Sequence, residues 1–475
     1  MRVPQHLRTT LAAALLAAGL TPLVTVSPAW AAPLAKYSDD FNGDGYRDIA
    51  VASPWARIGS SRQAGHVSVL YGSASGTSTS LPFAVHQGRA GVPGTAEAED
   101  EFGKVITSAD LDRDGYADLI AGSPNEKVGT RTGQGAVTVV WGGSAGLLQG
   151  ASIPNKKPTA EGHFGSALAA GDFTGDGNPD LVAAEGTGLR LYRGPFTRTG
   201  IPSSTSYIGL GGYGALRLVA GKINKNAYVD LVVVNERNTR VLKGTSTGLT
   251  MTSKTTVAGE SSTYGCSAAA TVGDFDKDGY GDVVVARGWA TGGGVSSAGR
   301  LTVAYGSSTG LSTTRATKTF TQATSGVPGT PEMQDHFGCS VSAGDVTGDG
   351  RADLLVGVPG EQGSGLGTGG VTLLKGSSSG LTGENSRWLD ASTSGVPDSS
   401  TQDFGLAVRV TDTDGDGRAD AAVSDPGVHG YDGAVWYLRS TGLSLTGEGS
   451  SIIYPPRTES TGTDAWHNFG MAFAD

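Results

Sequence analysis

Apolar and polar positions along this chain fall into short runs and never into a sustained 3.6-residue stripe. One kind of run is continuously apolar, as in Asp230-Leu231-Val232-Val233-Val234 and Leu354-Leu355-Val356-Gly357-Val358. A strand buried on both faces reads that way. A second kind alternates, as in Gly135-Ala136-Val137-Thr138-Val139-Val140-Trp141 and Arg300-Leu301-Thr302-Val303-Ala304-Tyr305. Gly-Ser clusters close these runs, a weaker strand follows, and loops such as Gly91-Val92-Pro93-Gly94 and Gly326-Val327-Pro328-Gly329 end the unit. The pattern predicts an all-β chain.

The runs repeat in a fixed order. From Phe337 there is an aromatic-Gly pair, a short apolar strand, the acidic stretch Asp345 to Asp353, a second apolar strand and Pro359. The same order starts at Phe102, Phe164 and Phe404, and with small insertions at Tyr213 and Tyr264. The loops begin at Asp40, Asp110, Asp172, Lys222, Asp274, Asp345 and Asp412, spaced by 70, 62, 50, 52, 71 and 67 residues. Seven units of that period predict a seven-bladed β-propeller of four-stranded blades. The first loop has no aromatic-Gly strand before it, and the chain finishes on one, Phe469-Gly470-Met471-Ala472-Phe473-Ala474-Asp475. The C-terminal strand is therefore expected to close the first blade, removing an open sheet edge.

Six of the loops follow Asp-x-[Asp/Asn/Thr]-x-Asp-Gly-x-x-Asp. Oxygens at positions one, three, five and nine, with a carbonyl at seven, can enclose one hard cation, and Gly at six permits the sharp turn. Asp and Gly also favour plain turns, but six copies in register argue for more. The expected ligands are Asp40, Asn42, Asp44 and Asp48 in blade one, and Asp110, Asp112, Asp114 and Asp118 in blade two. Blade three offers Asp172, Thr174, Asp176 and Asp180; blade five offers Asp274, Asp276, Asp278 and Asp282. Blade six offers Asp345, Thr347, Asp349 and Asp353, and blade seven Asp412, Asp414, Asp416 and Asp420. These loops hold 21 of the 45 acidic residues. An oxygen cage of this kind suits Ca²⁺ better than Mg²⁺, which keeps its waters. Blade four departs: Lys222, Asn224 and Ala227 replace the first Asp, the third-position Asp and the Gly, so its loop is expected to be empty, with the Lys222 ammonium near Asp230. About six Ca²⁺ sites result, each tying an inner strand to the second strand.

The aromatic-Gly pair, the nine-residue acidic loop and a following Gly-x-Pro (Gly122-Ser123-Pro124, Gly357-Val358-Pro359) resemble the FG-GAP repeat. That repeat builds the propeller of integrin α-subunits and occurs in secreted bacterial proteins. Blades three to five lack the Gly-x-Pro, and no integrin leg is visible. The resemblance implies a calcium-binding propeller used for adhesion or recognition, with the calcium loops on one face and the remaining loops on the other. It also implies a runner-up, an extracellular hydrolase of the FG-GAP-containing phospholipase type, whose chemistry would belong to an additional domain.

Charge and ends add location. Arg2 and Arg8, the apolar stretch Leu11 to Val26 and Ala29-Trp30-Ala31 predict an export signal over residues 1–31 and a mature start at Ala32. No other apolar run is long enough to span a membrane. The formal charge of −10 becomes −12 without the two arginines, which six Ca²⁺ would bring to about zero. Such a chain repels nucleic acid. Secretion is expected, with an extracellular protein or cell-surface glycan as partner. Cys266 and Cys339 occupy matching points of neighbouring repeats, where they either pair or stay as two small buried thiols.

No enzyme is expected. Gly-x-Ser-x-Gly occurs at Gly142, Gly244, Gly306 and Gly376, each time after a third strand and before a leucine, so it reads as a repeated turn and not a nucleophile elbow. His163 and His336 precede Phe-Gly and read as caps; no histidine forms a metal pair. The longest loops of the recognition face are Ser53 to Gly65, Ser123 to Gly133, Arg287 to Gly299, Pro359 to Gly369 and Ser424 to Gly433. Trp55, Arg57, Trp289, His429 and Tyr431 are the partner-binding candidates there, since aromatics and Arg carry most contact energy.

Overall fold

The computed structural model describes Met1 and residues 34–474, except 80–82, 212–213, 215–216, 236–237, 252–256, 259–265, 267, 363–367, 399–400 and 457–466. The export signal and Tyr213, Tyr264, Gly265, Trp466 and Asp475 lie outside the described residues.

Seven antiparallel sheets form a seven-bladed propeller. In blade two the inner strand Val105–Ala109 pairs with Asp118–Ser123, which pairs with Ala136–Trp141 and then Gln149–Ser152. The other blades repeat this order, and the inner strands neighbour one another around a closed ring. The continuously apolar runs are the second strands. Ile49–Ser53, Asp118–Ser123, Asp180–Glu185, Asp230–Val234, Asp282–Arg287 and Asp420–Asp425 are buried throughout, because a neighbouring blade covers each face. Outer strands alternate with solvent, as in Ser204–Gly209. The outer edge of blade four is split between Gly248–Met251 and Val257–Ala258. The one helical element among the described residues is the turn Val428–Tyr431, and His429 and Gly430 within it have left-handed backbone.

Seven apolar clusters sit one at each blade junction, so the core is a ring of seams and not a single centre. The phenylalanine of each described aromatic-Gly pair plugs a seam: Phe102, Phe337, Phe404 and Phe469 are fully buried and Phe164 nearly so. Their backbone N–H groups latch the preceding blade, Phe102 to Ala64 O at 2.9 Å and Phe164 to Gln134 O at 3.0 Å. Gly135 shows why the latch needs glycine. Its φ is +79°, and a Cβ there would lie 2.4 Å from the backbone N and O of Phe164. The ring closes as the repeat order requires: Ala472–Phe473 pairs with Ile49–Ser53, Val51 opposite Phe473 and Ala52 opposite Ala472.

Cys266 and Cys339 form a disulfide with Cα atoms 4.4 Å apart, joining the starts of blades five and six. This resolves the choice left open by sequence. The bridge closes a loop of 73 residues, for which chain entropy gives up to about 4 kcal/mol. The C266S/C339S protein should unfold at a lower denaturant midpoint with a slope no smaller than the parent's, because the unbridged unfolded chain is less compact. Equal midpoints would show that the bridge does not stabilise the fold.

Candidate functional site

Each acidic loop runs from an inner strand to the second strand, so all of them share one face, here the lower. The first Asp organises the loop by accepting backbone N–H groups. Asp40 takes Gly43 N at 2.7 Å and Gly45 N at 3.0 Å, and Asp345 takes Gly348 N and Gly350 N at 2.7 Å each. Asp172, Asp274 and Asp412 do the same. Glycine at position six is required by backbone, as at Gly45 (φ +90°), where a Cβ would meet nothing. Position four is left-handed too, held by Gly43, Gly175, Gly348 and Gly415 but by Arg113 and Lys277 in blades two and five. The recurring Gly at that offset was a legible signal, and the sequence pattern passed over it. Loops of adjacent blades are linked: Ala117 N donates to Asp40 O, Gly281 N to Lys222 O and Ala352 N to Asp274 O, all near 3 Å.

Position nine has a second function that the ligand pattern does not reveal. Asp48 Oδ1 accepts Gly72 N, just after the third strand, and its Oδ2 accepts Phe41 N, both at 2.9 Å. Asp118, Asp180 and Asp282 hold the corresponding groups. Asp230 keeps its link to Gly244 N at 3.0 Å in blade four, where the other acidic positions are lost. So this Asp latches the loop to the third strand whether or not a cation is near. Burial pushes these carboxyls up, with like charge adding: Asp48 to about 8, Asp282 to about 7 and Asp180 to about 6, while Asp118 lies well above the usual range.

In three loops the carboxylates converge as a cation site requires. Oxygens of Asp110, Asp112 and Asp118 lie within 4.8 Å of one another, as do those of Asp274, Asp276 and Asp278, and of Asp412, Asp414 and Asp416. These clusters could hold a metal ion. They occur in the three blades whose position three is Asp, and each of those aspartates meets an arginine. Arg198 pairs with Asp112 at 2.7 Å and also with Asp114; Arg315 pairs with Asp276 at 2.5 Å; Arg439 pairs with Asp414 at 2.8 Å. Where position three is Asn42 or Thr174, no arginine approaches it among the described residues. The fourth carboxylate of a loop is thus matched by one cation from another strand or blade, and every acidic loop presents nearly the same charge to an ion. Arg351–Asp349 and Arg418–Asp416 are more exposed and screened, and contribute little.

Blade four differs from its expected internal pairing. Lys222 is exposed, and Asn224 Nδ2, not the Lys222 ammonium, meets Asp230 Oδ2 at 2.8 Å. An amide donor satisfies a buried carboxylate without bringing a second charge out of water.

The Gly-x-Ser-x-Gly segments are the turns between third and fourth strands. In three of them the residue before the middle serine, Thr245, Ser307 or Ser377, bonds the carbonyl of the closing glycine, and all four middle serines are exposed.

The upper face carries the loops between second and third strands and between blades. It brings together three of the five partner candidates. Trp55 and Arg57 of blade one and Tyr431 of blade seven line a cleft of about 720 Å³, with Arg62, Glu99 and Asn468. His429 lines an adjacent cavity of about 320 Å³; its Nε2 is 2.9 Å from the Asp398 carboxylate and its ring packs on Tyr454 at 5.4 Å. Trp289 lines neither and stacks on His336 at 4.3 Å. Arg62, Glu99 and Asn468 were not among the sequence candidates, because only ring closure brings them to Tyr431.

The fold and the acidic loops define a seven-bladed propeller whose lower face repeats one cation-type loop. The FG-GAP repeat family model matches residues 38–70, 102–140, 164–194 and 337–374, and an FG-GAP-like repeat model matches 222–285. The chain carries FG-GAP repeats. Among curated proteins it is similar to phosphatidylinositol-glycan-specific phospholipase D of Mus musculus, 40% identical over 101 residues, which is 20% of this chain and 12% of that protein. The Rattus norvegicus phospholipase D of the same name is 32% identical over 148 residues, 30% of this chain and 17% of that protein. Integrin alpha-PS5 of Drosophila melanogaster is 30% identical over 166 residues, 33% of this chain and 15% of that protein. The chain thus spans less than a fifth of the length of these relatives. Among the described residues no helix is long and apolar enough to cross a membrane.

Proposed function

We propose that this protein is a secreted, calcium-braced propeller that serves as a recognition or scaffold module for an extracellular protein or a cell-surface glycan. One observation carries the reading: the same acidic loop recurs around the lower face, and in blades two, five and seven three of its carboxylates converge. Ca²⁺ would be held by the six ligand sets at Asp40, Asp110, Asp172, Asp274, Asp345 and Asp412, and would supply a hard positive charge that neutralises the loop. The chain's own part is to pre-shape the loop through the position-one carboxylate and to anchor it through position nine. Export by residues 1–31, with Ala32 first in the mature chain, belongs to the same reading.

Metal analysis of the mature protein after dialysis in calcium should give six ions. Seven would overturn the empty blade-four loop, and none would overturn the calcium reading. Immobilised protein in calcium should retain a partner from an extract of its own source and release it in EDTA.

The relatives named phospholipase D favour a second reading, an extracellular hydrolase. A phospholipase assay on the purified chain separates the two: turnover above the enzyme-free blank would replace the recognition module with an enzyme.

A further inference from the structure

We infer that the cleft between the upper loops of blades one and seven binds a carboxylated saccharide, a neutral sugar chain carrying isolated uronate groups. This names the ligand of the recognition module and rests on that reading.

The cleft has the three kinds of group such a ligand needs. Trp55 and Tyr431, 37% and 46% exposed, present aromatic rings from separate loops. A pyranose offers a face of C–H groups that stacks on such rings. Two guanidinium groups lie beside them. Arg57 makes a single long bond, 3.4 Å, to Ser60 O. Arg62 is exposed and makes no side-chain hydrogen bond or ion pair among the described residues. A guanidinium left in this state can take a carboxylate with two parallel bonds. The third kind is the hydroxyl partner. Glu99 is exposed and accepts. Asn468 is only 5% exposed, yet its Oδ1 is buried with no hydrogen-bond partner. A buried unmet acceptor is costly, and a ligand hydroxyl entering the cleft would meet it. Tyr431 is held at φ +73°, a left-handed conformation that is strained for a non-glycine residue and that clusters at ligand sites.

Size and charge narrow the class. About 720 Å³ falls within the usual range for a small-ligand site, whereas a protein partner needs roughly 800 Å² of surface on each side. The cleft lining offers two guanidinium groups, Arg57 and Arg62, enough for one or two carboxylates and too few for a dense polyanion. The site therefore selects a lightly charged glycan over a sulfated one or an acidic peptide.

The test uses the full mature chain in calcium, with titration calorimetry against three probes: a xylo-oligosaccharide carrying one glucuronate, the neutral xylo-oligosaccharide of the same length, and a hexaglutamate peptide. The acidic saccharide should bind at least 10-fold more tightly than the neutral one. Arg62→Gln should remove that preference while leaving the melting temperature unchanged, and Trp55→Ala should weaken both saccharides about 10-fold. Equal binding of the two saccharides, or an Arg62→Gln protein that keeps the preference, overturns carboxylate recognition. Binding of the peptide with no saccharide bound overturns the glycan class, and silence toward all three probes overturns the site. Calcium content is measured on the same sample. A six-ion protein that binds no saccharide fails this inference alone, and a metal-free protein that binds it fails the calcium reading alone.

Discussion

Deletion of residues 466–475 should abolish the cooperative melt of this protein. The segment supplies the inner strand of blade one, with backbone bonds from Gly470 and Met471 to Ala52 O and from Ala474 to Ala50 O, at 3.1–3.2 Å. It also carries Phe469, fully buried, and Phe473, 7% exposed, both in the seam between blades seven and one. Truncating one such side chain costs about 3–5 kcal/mol. A whole domain has about 5–15 kcal/mol to lose. Removing both, and baring the edge of Ile49–Ser53, therefore consumes most or all of it. Calorimetry on the truncated chain should show a broad or absent transition and a tendency to aggregate through the open edge. A sharp melt at the parent temperature would mean that the seven-fold ring does not depend on its clasp.

The second large effect concerns calcium and pH together. Extracellular modules bind Ca²⁺ at roughly 10⁻⁴–10⁻³ M. At about 10 mM Ca²⁺ each site then adds roughly 1.4–2.7 kcal/mol. Six sites in a chain of this size should raise the melting temperature by on the order of 10 °C over EDTA. The sign of the pH dependence follows from burial of the position-nine carboxyls. Their folded values lie above the unfolded one, with Asp48 at about 8 and Asp282 at about 7. In EDTA the fold favours their protonated form. Its stability is fullest below the ordinary carboxylate value near 4 and declines as pH rises toward 8. Calcium needs the ionised form, so its contribution moves the opposite way and grows with pH. Melts at pH 5 and pH 8, each with Ca²⁺ and with EDTA, should show a larger calcium shift at pH 8. A shift that is equal or larger at pH 5 would show that these carboxyls are not displaced from protons by the ion.

Much of this molecule was legible along the chain because a propeller is a repeat of local units. Each blade is about 50–70 consecutive residues, and its turn glycines, apolar runs and acidic loop stand in one order. The orphan strand at Phe469 announced the closure for the same reason: a blade short of one strand at one end was matched by a strand without a blade at the other. The position-nine aspartates were legible as ligand candidates, but their bond to the residue after the third strand was not. That partner lies 24 residues on in blade two and 14 in blade three, so no fixed spacing exposes it.

The sequence by itself determined the blade count, the strand order within a blade, the clasp and which six loops carry the acidic pattern. These depend on patterns repeated within one unit, where local chain geometry decides what meets what. Only the tertiary structure decided the pairing of Cys266 with Cys339, the arginines that meet Asp112, Asp276 and Asp414, the Asn224 contact in blade four, and the cleft that joins Trp55 to Tyr431 and Asn468. Most of these contacts cross blades, and the cleft exists because ring closure sets residues nearly four hundred positions apart side by side. The Asn224 contact lies within one loop, where the competition was between an amide that can stay buried and a lysine that keeps its charge in water.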